Sequence, residues 1–117
     1  MLTPEEKVRQ FILKKLVDVY GYPLKYISVE KLLKVHELKK RYDIVVFAQD
    51  LKPFILVECK AAAINLDEKT LKQIAIYNLK LQVPYLMITN GNTEYCFEIK
   101  DKEVKQLSHL PLNDSIN

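Results

Sequence analysis

The 117-residue chain has no tryptophan, two glycines, two cysteines and two histidines. Cys59 and Cys96 are too few for a disulfide framework and lack the C-x-x-C spacing of a zinc site, so a reducing compartment is expected and both read as small apolar core residues. His36 and His109 have no partners at the spacing of a metal site or a catalytic triad. No apolar run approaches the roughly 18 residues of a membrane span, and the opening Met-Leu-Thr-Pro-Glu-Glu-Lys lacks an apolar export segment. The expectation is a soluble, cytoplasmic protein with no membrane partner. The excess of charge is also small: 18 Lys and Arg against 15 Asp and Glu leave +3, which permits a polyanionic partner without demanding one.

What is present is an ordinary globular composition, 49% hydrophobic and 28% charged, in a length that suits one core and no second domain. Residues 1–110 read as that domain and 111–117 as a polar tail prone to fray. Thr3, Pro4, Glu5 and Glu6 form a helix start, and Val8, Phe11, Ile12, Leu16 and Val19 recur at helical spacing until Gly21 and Pro23 stop the helix. Lys25 to Val35 is read as a strand on Tyr26, Ile27 and Val29, and His36 to Arg41 as a turn. Tyr42 to Ala48 and Phe54 to Cys59 are apolar runs five residues apart, the pattern of a hairpin. A second helix capped by Asn65 or Asp67 runs to about Leu81, with Leu66, Thr70, Gln73, Tyr77 and Leu81 on one side. Strands follow at 85–89 and 93–99 around Asn90-Gly91, then a short helix over 101–110. The order α, β, β, β, α, β, β, with a parallel crossover between residues 54 and 89, gives an α/β (α+β) fold: a mixed sheet with helices on its faces.

Against that background, acidic groups at the ends of apolar strands stand out, because a buried carboxylate is costly unless it is paired or bound to metal. Asp43 opens Ile44-Val45-Val46-Phe47, and Glu58 closes Phe54-Ile55-Leu56-Val57, with Lys60 on the same strand face. Antiparallel pairing across the intervening turn brings Asp43 beside them. Seven acid-x-basic triplets occur in the chain, so Glu58-Cys59-Lys60 is singled out by its place at a strand end and not by its spelling. Two carboxylates and a lysine are the equipment for metal-assisted phosphodiester hydrolysis: hard oxygens hold Mg²⁺, and the ammonium serves the attacking water. The plain alternative is a set of solvated strand ends.

Arg41-Tyr42-Asp43, Val57-Glu58-Cys59-Lys60, Gln73-x-x-x-Tyr77, Val83-Pro84-Tyr85-Leu86 and Thr89-Asn90-Gly91, in that order and spacing, resemble the N-terminal nuclease domain of type I restriction enzyme R subunits, in the PD-(D/E)xK superfamily. The resemblance runs from about Pro4 to Gly91. It implies a restriction-endonuclease-like mixed sheet in which Asp43 and Glu58 ligate Mg²⁺ (or Mn²⁺ in its place), the Cys59 carbonyl assists, and Lys60 serves the water. It also implies that Gln73 and Tyr77 lie near the site and the DNA; on residue type alone they read as a boundary residue and a core aromatic. The family carries an acid on its first helix. Here the helical stripe favours Glu5 over Glu6 as a further ligand, with Arg9 placed to pair with Glu5 or meet a phosphate. Tyr42 stands where the superfamily has proline, which leaves the ligand oxygens of Asp43 unaffected. Helicase domains follow this region in R subunits and are not contained in 117 residues.

Lys31, Lys34, Lys39, Lys40 and Arg41 lead into the Asp43 strand as candidate DNA contacts, Lys40 and Arg41 foremost. The expected function is a Mg²⁺-dependent DNA endonuclease domain working with restriction-modification or helicase subunits. The alternative is a non-catalytic nucleic-acid-binding or assembly module on the same fold.

Overall fold

A computed structural model describes residues 2–35, 38–63 and 65–113. Helix α1 spans Pro4–Asp18 and starts where the sequence says: Thr3 accepts the Glu6 amide on its side chain while Glu6 reaches back to the Thr3 amide, a complete capping box. A 3-10 turn at Leu24–Tyr26 leads into β1 (Ile27–Val35), followed by β2 (Leu38–Phe47), β3 (Pro53–Cys59), α2 (Glu68–Leu79), β4 (Tyr85–Thr89), β5 (Glu94–Lys100) and β6 (Glu103–Leu107). The six strands form one sheet in sequence order. Only β3 and β4 run parallel, joined through α2, and every other neighbour is antiparallel. The fold is α+β with a mixed sheet.

Each face of the sheet carries its own core, as alternation along buried strands requires. Ile44, Val46, Ile55, Val57, Cys59, Met87 and Cys96 pack with Val8, Ile12 and Leu16 of α1. Val45, Leu56, Leu86, Ile88, Phe97 and Ile99 form the opposite core with Leu66, Leu71, Ile74 and Leu81 of the α2 segment. Among the described residues no helix is long and apolar enough to cross a membrane.

Four expectations are corrected. The run 38–41 is not a turn but the first part of β2, paired with β1 from Val35↔Leu38 to Leu32↔Arg41; His36 and Glu37 lie outside the described residues. The segment after Asp101 is strand β6 and not a helix. Asp101 (φ 54°) and Lys102 (φ 63°) form a two-residue hairpin turn with both residues left-handed, a geometry that usually advertises itself with glycine and here does not. On α1, Phe11 (53% exposed) and Val19 (62%) lie outside the buried stripe, which is Val8, Ile12 and Leu16 alone. On α2, the inward face is Leu71, Ile74, Ala75 and Asn78, whereas Gln73 and Tyr77 are exposed. The chain also stays attached past residue 110: Leu110 is buried, the Tyr22 hydroxyl donates to the Pro111 carbonyl, and the Asn113 amide donates to the Tyr20 carbonyl at 2.9 Å.

The β1–β2 pair departs from a flat ribbon at one position. The register passes from Val29↔Ile44 to Lys31↔Tyr42 with Glu30 and Asp43 between, and Glu30 has φ 52°, a left-handed conformation that glutamate seldom adopts. Tyr42 and Ile44, two residues apart, consequently lie in opposite cores. Beyond this point the ribbon turns onto the α2 face. Leu33 packs against that core, and the Tyr42 hydroxyl donates to Oδ1 of Asn78, which is fully buried and donates in turn to the Ile74 carbonyl at 2.7 Å.

Candidate functional site

The Ile44↔Val57 pairing, extended by one residue, sets Asp43 opposite Glu58. Asp43 sits where the ladder is interrupted, and the half-buried carboxylate turns back so that Oδ2 accepts the Cys59 amide at 2.7 Å. Burial pushes the Asp43 carboxyl above its ordinary range. The Cys59 hydrogen bond opposes that shift, Glu5 and Glu58 add to it, and the Lys60 ammonium opposes it. Glu5, Glu58 and Lys60 are thus each close enough to Asp43 to act on its charge.

Glu58 is 5% exposed and points to the α2 face. Its carboxylate is ion-paired with Lys40, whose Nζ lies 5.1 Å from the ring centroid of Tyr42 and 4.9 Å from that of Tyr77. Lys40, expected as a DNA contact, thus faces inward as the counter-charge of Glu58. Tyr77 is placed against the site by this lysine, while Gln73, one turn earlier, is exposed. Arg41 alternates with Lys40 and is exposed.

Cys59 has its side chain in the α1 core, where burial, reinforced by Asp43, holds the thiol up at about 12. That suits a packing residue. The Lys60 amide donates to the Thr89 carbonyl at 2.7 Å, so the parallel β3–β4 pairing fixes the backbone on which Lys60 is carried.

On the α1 side of Asp43, a cleft of about 210 Å³ is lined by Thr3, Glu5, Glu6, Arg9, Glu30 and Asp43. Glu5 is exposed along it, whereas Glu6 is committed to the helix cap. Arg9 pairs neither with Glu5 nor with Asp43: its Nη1 lies 2.9 Å from Glu30 Oε1, the residue with the left-handed backbone. Among the described residues no three His, Cys, Asp or Glu side chains are gathered closely enough to enclose a metal. The hard oxygens on offer are the carboxylates of Asp43 and Glu58, carried at neighbouring positions of adjacent strands. That matches Mg²⁺, which is commonly held by one or two carboxylates and completes its shell with water and substrate phosphate.

Two participants escaped sequence reasoning. Asn78 is an amide at the inward spacing Leu71, Ile74, Asn78, Leu81, and a polar residue inside an apolar stripe was the available signal. The Arg9–Glu30 pair joins α1 to β1 across 21 residues and had no local signal.

Known proteins give a consistent picture. Residues 4–111 match the family described as type I restriction enzyme R protein N terminus (HSDR_N). The fold is similar to the fragment structure of a putative HsdR subunit of a type I restriction enzyme from Vibrio vulnificus YJ016, with a TM-score of 0.66 and 21% identity over 97% of this chain. This chain spans 24% of the length of that one. Comparison with curated proteins finds no match. With nearly its whole length matched, the chain belongs to the type I restriction enzyme R protein N-terminal family.

Proposed function

We propose that this domain is a Mg²⁺-dependent DNA endonuclease of restriction type, hydrolysing backbone phosphodiesters alongside the other subunits of a restriction-modification assembly. The observation that carries the reading is the adjacency of Asp43, where the β1–β2 ladder is interrupted, and Glu58, near the end of β3, with Lys60 two residues beyond Glu58. Asp43 and Glu58 would hold the ion, with the Cys59 carbonyl and Glu5 as further oxygens, and Mn²⁺ would serve in its place. Bound there, the metal supplies Lewis acidity and lowers the pKa of a coordinated water. The chain's own residues do the rest. Burial of Asp43 and its bond to the Cys59 amide fix one carboxylate in orientation. The Lys60 ammonium orients the attacking water by hydrogen bonding and offsets charge developing on the phosphate. Tyr77, Gln73 and Arg41 offer exposed groups to the DNA beside the site.

A second reading has an observation of its own. The Lys40 ammonium already neutralises Glu58, an arrangement that a non-catalytic nucleic-acid-binding or assembly module would retain without metal. Calorimetric titration of Mg²⁺ and Mn²⁺ into the native protein and Glu58→Ala, followed by supercoiled plasmid, separates the two. The nuclease reading expects metal binding that disappears with Glu58, and nicking that disappears in Asp43→Ala, Glu58→Ala and Lys60→Ala. Folded native protein that binds DNA, takes up no metal and leaves plasmid intact would replace it with the binding module.

A further inference from the structure

We infer that the outer face of the bent β1–β2 ribbon is a sequence-blind grip for duplex DNA, with Lys34, Lys39 and Arg41 as its phosphate contacts. The inference rests on the nucleic-acid reading above and assigns it a surface. The ribbon's two faces differ sharply. Leu33, Lys40 and Tyr42 face the α2 side, where Lys40 is consumed by Glu58 and two rings. The alternate residues Leu32, Lys34, Lys39 and Arg41 are all exposed, and cross-strand pairing puts Lys34 directly opposite Lys39 and Leu32 directly opposite Arg41.

Like charges directly opposite on a sheet face repel and destabilise the pair. The ion pairs among the described residues join Arg9 to Glu30, Lys15 to Glu94 and Lys40 to Glu58, and none of them relieves this face. Three cations gathered at a cost in folding free energy are complementary to a polyanion. A two-stranded ribbon is also an element that the major groove of B-form DNA admits, whereas the deep, narrow major groove of A-form RNA does not. Arg41 stands two residues from Asp43 and Lys39 four, about 13 Å along a strand, or roughly the axial rise of four phosphates on one DNA strand. The contacts therefore flank the scissile position. Lysine and arginine held on phosphates position the duplex without carrying sequence information.

The test is fluorescence anisotropy of the full chain with a labelled 20-base-pair mixed-sequence duplex, in EDTA so that hydrolysis cannot intervene, across a sodium chloride series. Neutralising three phosphate contacts in Lys34→Gln/Lys39→Gln/Arg41→Gln should make the log–log salt slope shallower by about 2.7 and weaken binding at least tenfold at low salt. The same charge loss at exposed helix lysines, Lys14→Gln/Lys69→Gln/Lys72→Gln, should leave the slope unchanged. Lys39→Glu supplies a readout independent of any ligand: it places opposite charges across the ribbon and should raise the melting temperature while weakening DNA binding. Native affinity and slope in the ribbon triple variant, an equal loss in the helix triple variant, or equal binding of the single strand would overturn the ribbon assignment. Native protein that binds no duplex at all would overturn the nucleic-acid reading itself.

Discussion

The Asp43 carboxylate and the Cys59 amide are joined at 2.7 Å across strands β2 and β3. One of the two acids is therefore anchored to the backbone of the other acid's strand. That bond fixes Asp43 but does not neutralise it, since the amide is a dipole and Glu5 and Glu58 both press negative charge on the same group. Glu58 has its own cation in Lys40. The two carboxylates thus sit in different electrostatic surroundings.

Because the Asp43 carboxyl is raised above its ordinary value, the folded protein holds that proton more tightly than the unfolded chain does. Stability from this group is consequently greatest below the ordinary carboxylate range and declines as pH rises from that range through the raised value. At neutral pH the ionised group is a net cost. Asp43→Asn keeps an oxygen for the Cys59 amide and removes the charge. It should raise the melting temperature at pH 7, with the gain shrinking to nothing by about pH 3, below the unperturbed carboxylate range. Thermal unfolding by circular dichroism across pH checks this, and an equal or lower melting temperature for Asp43→Asn at pH 7 would refute it. Substitutions that relieve a strained site commonly stabilise the fold as they abolish its activity.

Lys40→Met should be destabilising, since it strips the counter-charge from a carboxylate that is 6% exposed. Removing one member of a fully buried pair costs about 3–5 kcal/mol, and because Lys40 keeps part of its solvation the expected cost here is about 2–3 kcal/mol. Adding Glu58→Gln should recover most of it. A double-mutant cycle in urea measures the coupling. If the site takes a divalent cation, millimolar Mn²⁺ should raise the melting temperature of Lys40→Met more than that of the native protein, because the ion then replaces a missing charge. Additive losses in the cycle would mean that the pair carries no coupling.

Tyr42 donates its hydroxyl to the buried Asn78. Tyr42→Phe preserves the ring against Lys40 but leaves the Asn78 Oδ1 without that donor. The expected loss is about 1–3 kcal/mol, the cost of an unsatisfied buried acceptor. Urea denaturation checks the magnitude, and an unchanged midpoint would show that the ribbon does not depend on this bond to stay on the α2 face.

How far the sequence reaches depends on whether its signals are local. The start of helix α1 is legible to the residue because Thr3, Pro4 and Glu6 encode it. The pairing of Asp43 with Glu58 is legible because an acid interrupting an apolar run is conspicuous and a short hairpin brings the two strands together, although Asp43 lies within β2 and not at its mouth. The bend is not, since it depends on a left-handed Glu30 and on Tyr42 finding Asn78 36 residues away. Lys39, Lys40 and Arg41 read as part of a turn, although in the bent ribbon Lys40 faces inward while Lys39 and Arg41 face outward with Lys34 of β1. Strand β6 was hidden by the absence of glycine from its turn. On α2, the stripe through Thr70, Gln73 and Tyr77 lies beside the true inward face, so Gln73 and Tyr77 are exposed, and Tyr77 meets Lys40.

Gly91 tests how α1 is seated against the strand ends. Its φ of 89° lies where L residues are strained, and an added Cβ would come within 3.2 Å of Val8 Cγ2 on the buried stripe of α1. The left-handed backbone alone costs an alanine about 1–2 kcal/mol, and the contact requires Val8 to shift by a few tenths of an ångström. Gly91→Ala should therefore lower stability by about 2 kcal/mol, while Val8→Ala/Gly91→Ala should lose less than the sum of the single variants because the crowding is removed. The same displacement of α1 would carry Glu5 away from Asp43. In the nuclease reading, Gly91→Ala should weaken Mn²⁺ binding at a temperature where the variant is still folded, and Val8→Ala should partly restore it. Calorimetry on the three variants decides: native metal affinity in folded Gly91→Ala would show that α1 positions no ligand for the site.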